Sequence, residues 1–176
     1  MLTFIIILFL CLAGYTGYRR GFLRELVYVF GYAMSFVIAS MFYPIVSQIL
    51  QVWIPYPVAE LSQKMAIYTS TDLADVYYNG LGFMLIFFLG WLLTRLLGVS
   101  FYKLSAQTTQ LGRILASLIN VVISYVFVIC VLTILSVVPI DGVQSTFESN
   151  TLASKMVTDT PIISNYLQDK WFQANY

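Results

Sequence analysis

The sequence contains no histidine, and its 176 residues include only two cysteines and 10% charged residues. Without histidine, catalytic triads that use an imidazole base are excluded, and so are most zinc sites. Cys11 and Cys130 stand far apart in the chain, each inside an apolar run, where a lone thiol is typical of a packing residue rather than of a disulfide or a metal ligand. We therefore expect neither a metal nor a cofactor.

Charge of either sign is scarce, with nine basic residues, eight acidic residues and a net charge of +1. A nucleic-acid-binding domain normally carries a basic face, so we expect no nucleic-acid partner. Soluble domains average about 25% charged residues, whereas 60% of this chain is hydrophobic. The expected environment, and the first expected partner, is therefore a lipid bilayer.

Four apolar runs are each long enough to cross a hydrocarbon core of about 30 Å, which takes about 20 helical residues. They cover residues 2–18, 22–43, 78–99 and 114–138. Because lipid offers the backbone no hydrogen-bond partner, each run must be a helix. The sequence predicts an all-α integral membrane protein: a four-helix transmembrane domain over 1–138 with an outer loop at 44–77, followed by an extracytoplasmic tail at 139–176. The first run lacks a basic segment before it and a clean cleavage site, which favours a retained helix over a signal peptide.

Basic residues mark the two short connections between these runs. They are Arg19, Arg20, Arg24, Lys103 and Arg113. Short loops rich in lysine and arginine stay in the cytoplasm, so both connections are predicted to be cytoplasmic and the N-terminus and tail extracytoplasmic. The four spans then form two hairpins, and the basic side chains act as anchors for topology and for lipid phosphates.

Two polar residues within the spans are candidate functional residues. Arg95 lies in an apolar run, where an ionisable side chain marks a functional site by default, although snorkelling to the inner interface explains it about as well. Asn120 shares a helix face with Ser117 and Ser124. This polar stripe fits either a transport path or hydrogen bonding between helices.

The outer segments retain apolar residues at helical spacing. In the loop these are Leu61, Met65 and Tyr68; in the tail they are the pairs Leu152 with Met156 and Ile163 with Leu167. We expect a short helix in the loop and two short amphipathic helices in the tail, separated at Thr160-Pro161, lying on the outer surface or on a partner. Phe147 and Trp171 are the aromatic candidates for such contacts.

Three stretches resemble the CvpA family of bacterial membrane proteins, named for colicin V production. One is "GYRRGFLRELVYVFGYAMSFVIAS", similar to the family's Gly-x-x-x-Gly turn before a leucine-rich span, and the second is "LGRILASLINVVISYVFVICVLTILSVVP". The third is the tail, similar to that of members from Gram-positive bacteria. The matching positions are Gly17, Arg20, Gly21, Gly31, Gly112, Arg113, Pro139, Gln144, Ser149, Leu152, Pro161 and Trp171.

The resemblance covers nearly the whole chain, with one departure. Members often have more glycines at the start of the last span, where this chain has Ala116 and Asn120, and this argues against especially close packing there. The resemblance implies a location in the bacterial cell membrane and a part in toxin production and cell-envelope maintenance. Some relatives add an external serine protease, which this sequence does not contain, so no catalytic residues carry over and we expect no enzymatic activity. The resemblance leaves Gly17 and Gly21 as candidate functional glycines.

Two functions are consistent with these features. The first is a non-enzymatic membrane scaffold or export accessory that contacts an extracytoplasmic envelope or export protein. The alternative is a small transporter or channel, expected to be a homo-oligomer because four helices are few for a monomeric pore.

Overall fold

The computed structural model describes residues 2–56, 73–101, 109–138, 140–160, 166 and 171. The helices are α1 (Leu2–Arg20), α2 (Phe22–Trp53), α3 (Leu73–Val99), α4 (Gln110–Ser136), α5 (Asp141–Ser149) and α6 (Thr151–Thr158). None of the described residues lies in a β-strand. The prediction of an all-α fold is confirmed.

Helices α1 to α4 are long and apolar enough to cross a membrane. Large apolar side chains lie exposed along all four, among them Phe4, Phe30, Leu96 and Val122. Exposing so much apolar surface to water would be unfavourable, whereas exposing it to lipid is not. The chain is therefore a multi-pass membrane protein, as predicted.

The second helix is longer than the predicted span. It continues through Pro44 to Trp53, and its 32 residues extend over about 48 Å at 1.5 Å per residue. A proline removes one helical hydrogen bond without always ending a helix. Because α3 also begins earlier than predicted, at Leu73, helix occupies both ends of the segment predicted as the 44–77 loop. The helix predicted around Leu61 to Tyr68 lies outside the described residues.

The chain divides into two compact units, which we describe separately. Unit 1 comprises Met1–Thr3, Phe42–Met84 and Val128–Tyr176. Unit 2 comprises Phe4–Met41 and Leu85–Phe127.

In unit 2, small residues bring helices together in antiparallel pairs. A Cβ atom added at Gly17 of α1 would lie 2.6 Å from the Ala116 carbonyl oxygen of α4. Between α2 and α3, Gly31 lies against Thr94 and Gly90 lies against Ser35. The expectation of no close packing at the start of α4 is therefore wrong, because the glycine that permits it belongs to α1.

In unit 1, the tail packs onto the ends of the long helices. The side chain of Trp171 is only 2% exposed, and its ring lies 5.7 Å from that of Phe83 between centroids. A Cβ atom at Gly80 would contact both Ile134 and this ring. Phe147 of α5 is also buried. The tail is thus part of the core of unit 1.

Polar side chains in unit 1 satisfy backbone groups near helix ends. Gln144 Nε2 donates to the carbonyl oxygens of Ser136 at 3.1 Å and Val138 at 2.8 Å. Burial, with smaller contributions from Tyr77 and Tyr78, raises the pKa of the Tyr56 hydroxyl, which stays protonated and donates to a backbone carbonyl. Buried polar groups without such partners are costly in a membrane, so these bonds fix how the helices end.

Helices α5 and α6 are divided at Asn150, a break that the sequence analysis did not predict, and α6 ends at Thr158, just before the predicted break at Thr160-Pro161. The Asn150 side chain accepts a hydrogen bond from the Ala153 backbone N–H at 3.2 Å and so caps the start of α6. It also accepts from the hydroxyl of Thr3 at 3.0 Å. Leu152 and Met156 lie on α6 as predicted, whereas Ile163 and Leu167 lie outside the described residues.

Candidate functional site

The turn between α1 and α2 positions the arginines of unit 2. Gly21 has a φ of 78°, a left-handed conformation that favours glycine. Its N–H donates to the Gly17 carbonyl at 3.1 Å, and its own carbonyl accepts from the Glu25 N–H at 3.0 Å. The Gly-x-x-x-Gly motif therefore forms a tight connection, with Arg20 immediately before Gly21.

Arg20 is held by a buried acidic partner and an aromatic ring. Its Nη1 lies 3.5 Å from Glu25 Oε2, and its guanidinium carbon lies 4.3 Å from the centre of the Tyr28 ring. Glu25 is fully buried, and its Oε1 has no hydrogen-bond partner in the described part of the chain. Arg24 approaches the same ring and donates from Nη2 to the Tyr28 hydroxyl at 3.3 Å. This cluster lowers the cost of placing charge near the membrane interface.

A cavity of about 410 Å³ lies beside this cluster within unit 2. Side chains of α1, α3 and α4 form most of its wall, and Tyr32 adds a side chain from α2. The aromatic part of the wall comprises Phe9, Phe87, Phe88, Trp91 and Phe127. The polar part comprises Thr16, Arg20, Tyr32, Arg95, Asn120 and Ser124. An apolar cavity with a few convergent polar groups is the usual form of a small-molecule site.

Arg95 contributes the second positive charge to this cavity. Its guanidinium carbon lies 5.0 Å from the Trp91 ring centre, and that ring stacks on Phe88 at 5.4 Å between centroids. No carboxylate pairs with Arg95 among the residues described. The structure thus places this predicted candidate at a cavity that Arg20 also lines.

Asn120 joins α4 to α1 at the edge of the same cavity. Its Nδ2 donates to the Ala13 carbonyl at 2.7 Å and to the Thr16 hydroxyl at 2.9 Å. Of the predicted polar stripe, Ser124 also lines the cavity, whereas Ser117 lies against Gly14. These contacts match the interhelical reading of the stripe, and any role of Asn120 in transport stays a prediction.

The other predicted residues lie away from the cavity. Arg19 and Arg113 are exposed, consistent with contact to lipid phosphates, and Lys103 lies outside the described residues. Gly17 packs α1 against α4, and Gly21 forms the turn between α1 and α2. Phe147 and Trp171 belong to unit 1 and are buried there, so neither is available as a surface contact.

Sequence reasoning missed the aromatic wall. Phe87, Trp91 and Arg95 recur at four-residue spacing, which places them on one face of α3. That spacing was available in the sequence. The sequence does not show which helices this face contacts, because apolar residues cover α3 on every side.

Unit 1 also has a depression, of about 530 Å³, lined by the start of α1 and the turn between α5 and α6. Its lining consists of Leu2, Thr3, Thr146, Ser149, Asn150, Thr151 and Leu152. Although larger, it offers no charged side chain, so the cavity of unit 2 is the stronger candidate site. Within the described segments, no group of three or more cysteine, aspartate or glutamate side chains could hold a metal ion.

Comparison with known proteins agrees with this architecture. An uncharacterized transmembrane protein, YshB of Bacillus subtilis (strain 168), is 29% identical over 176 residues, which covers 98% of each chain. No solved structure matches the chain. The family model described as "Colicin V production protein" matches residues 2–161. Because that match takes in helices α1 to α6, the chain belongs to the colicin V production protein family.

Proposed function

We propose that this protein is a non-enzymatic membrane scaffold or export accessory in toxin production and cell-envelope maintenance, and that it acts through the tail of unit 1. The supporting observation is that the tail has two faces. Phe147, Ala153, Met156 and Val157 point into the core of unit 1. The opposite faces of α5 and α6 are exposed and mostly polar: Ser145, Glu148, Ser149, Thr151, Lys155 and Thr158. Such a surface, fixed from beneath, suits protein recognition.

The hydroxyl groups of this surface are engaged locally. Ser145 Oγ donates to the Gly142 carbonyl at 3.3 Å, and Ser149 Oγ donates to the Thr146 carbonyl at 3.2 Å. A serine nucleophile needs an adjacent base, and the sequence has no histidine. These features support a binding role over a hydrolytic one.

The positive-inside rule would place this surface outside the cytoplasm. Within unit 2, the last residues of α1 and the first of α4 pack side by side through Gly17 and Ala116, so Arg20 and Arg113 belong to one end of that unit. If that end is cytoplasmic, one crossing by α1 places the N-terminus outside, and one crossing by α4 places the tail outside. The expected partner is then an extracytoplasmic envelope or export protein.

Photocrosslinking in living cells tests the proposal. A photoreactive amino acid is placed at Glu148 or Lys155, both exposed, and at the buried Phe147 as the matched control. We expect the exposed positions to capture an envelope or export protein that the control position does not. Capture of cytoplasmic proteins would invert the topology, and capture of the chain alone would indicate a homo-oligomer without a tail-bound partner.

The alternative is a small oligomeric transporter or channel, favoured by the position of Asn120 and Ser124 at the cavity. It predicts solute or ion flux in liposomes that contain the purified protein. Asn120→Leu would then abolish flux, whereas the scaffold proposal predicts no flux in either protein.

A further inference from the structure

We propose that the cavity of unit 2 binds one anionic phospholipid, with its phosphate at Arg20 and Arg95 and one acyl chain along the aromatic wall. This inference is independent of the scaffold proposal, which concerns the tail of unit 1.

The wall suits a hydrocarbon chain. The Phe127 ring lies 6.2 Å from that of Phe9 and 6.4 Å from that of Phe87, between centroids, so three helices contribute to one continuous aromatic surface. The volume of about 410 Å³ falls within the range of about 300–1,000 Å³ that is usual for ligand sites. A fully polar ligand would lose its hydration against this wall without compensation, whereas an acyl chain would not.

The charge at the polar end favours an anion. Arg20 and Arg24 share the single carboxylate of Glu25, and the 3.5 Å separation of Arg20 from Glu25 is long for a charge-assisted hydrogen bond. Arg95 adds a further positive charge at the cavity. An unpaired charge beside apolar surface is costly, and guanidinium groups bind phosphate oxygens with matched geometry. A phospholipid phosphate would satisfy both arginines.

Both arginines lie near the ends of long helices, where a membrane-spanning helix meets the lipid headgroups. Arg20 is the last residue of α1, and Arg95 lies one turn before the end of α3. Phe9 is eleven residues deeper along α1, about 16 Å at 1.5 Å per residue. The cavity therefore runs from the interface towards the bilayer centre, in the direction that an acyl chain takes below its phosphate.

Tryptophan fluorescence tests this site in the purified full-length protein. Trp91 lines the cavity, so a lipid with brominated acyl chains should quench it once bound. Trp53→Phe serves as the parent, because Trp53 is 79% exposed and would report bulk lipid. Brominated phosphatidylglycerol is compared with phosphatidylcholine that carries the same chains, in neutral detergent, and Trp91→Phe identifies the quenched residue.

We expect half-maximal quenching by phosphatidylglycerol at a concentration about tenfold lower than by phosphatidylcholine, the factor equivalent to one charge-assisted hydrogen bond. Arg95→Gln should remove this preference, whereas the exposed control Arg113→Gln should retain it. Ser124→Phe, which fills the cavity, should weaken quenching by both lipids, and Ser124→Ala should not. Arg95 and Arg113 are both exposed, so neither substitution disturbs the core.

Three results would overturn the proposal. Equal quenching by the two lipids in the parent would show ordinary boundary lipid. A preference that survives Arg95→Gln would place the phosphate elsewhere. Full competition by glycerol phosphate, which has the headgroup chemistry without acyl chains, would assign the site to a soluble phosphate ester instead.

Discussion

Units 1 and 2 draw on the same four long helices but are filled in different ways. In unit 1, large side chains such as Trp171 and Phe83 occupy the space between helices, and amide side chains such as Gln144 bind the backbone at helix ends. In unit 2, glycine and small polar residues bring the helices together in pairs, while the space beside the pairs stays open as a cavity. Close pairing of helices in unit 2 therefore does not by itself fill the space beside them.

This difference explains how the two proposed roles are divided. In unit 1, buried side chains beneath α5 and α6 and satisfied helix ends hold the tail surface in place, which is what a binding face needs. A unit with enclosed volume and excess positive charge can accept a ligand.

The largest expected loss of stability comes from removing the Trp171 ring, which is buried in unit 1. Trp171→Ala should lower the free energy of unfolding by about 3–5 kcal/mol, because the ring is buried against Phe83 and Gly80. Trp53→Ala is the control in the same unit, since Trp53 is exposed. Thermal unfolding in detergent measures both. Equal effects of the two substitutions would contradict the account of unit 1.

Next in size is the helix contact of unit 2. Gly17→Ala should cost about 1–3 kcal/mol, because the new methyl group would lie 2.6 Å from a backbone oxygen and the helices would have to separate. Gly142→Ala is the matched control, since no atom lies within 4 Å of the added Cβ. The control should unfold at or above the temperature of the unchanged protein, as alanine favours helix. Unchanged stability in Gly17→Ala would contradict the close packing of α1 against α4.

Two substitutions with smaller expected effects allow the polar contacts of the two units to be compared. Gln144→Leu should cost about 1–3 kcal/mol, because two buried carbonyls lose a donor. Asn120→Leu should cost less, about 0.6–2 kcal/mol, as hydrogen bonds between membrane helices usually do. The reverse order, measured by the same unfolding assay, would show that hydrogen bonding matters more in the unit with the cavity.

The smallest effect is expected on the exposed face of the tail. Glu148→Gln combined with Lys155→Gln should change stability by less than about 0.5 kcal/mol, since both side chains are exposed. The same double variant should weaken capture of a partner by a crosslinker at the neighbouring Leu152. Unfolding of this variant under the conditions that the parent tolerates would show that these charges serve the fold.

The sequence predicted the four spans because apolar length and the bilayer thickness decide them together. The family resemblance also indicated a turn at Gly17 to Gly21, and Gly21 adopts the left-handed backbone that favours glycine. Helix ends were less predictable. Pro44 did not end α2, and Asn150, a good capping residue, divided the tail where the apolar spacing gave no sign.

The candidate site was only partly predictable. Arg95 and Asn120 stood out because polar residues are rare in membrane spans. The aromatic residues around them did not stand out, because Phe87 and Phe127 cannot be told from other lipid-facing residues in a uniformly apolar helix. Which apolar faces meet depends on glycine contacts between distant segments, such as Gly17 with Ala116, and a single sequence does not reveal those pairings.

Hydrogen–deuterium exchange in lipid nanodiscs tests the contrast between the two units most directly. The protein is compared in phosphatidylcholine discs with and without added phosphatidylglycerol. Our account predicts that the anionic lipid slows exchange near Arg20 and Arg95 in unit 2 and leaves α5 and α6 of unit 1 unchanged. Slower exchange in α5 and α6, or no change near the two arginines, would contradict it.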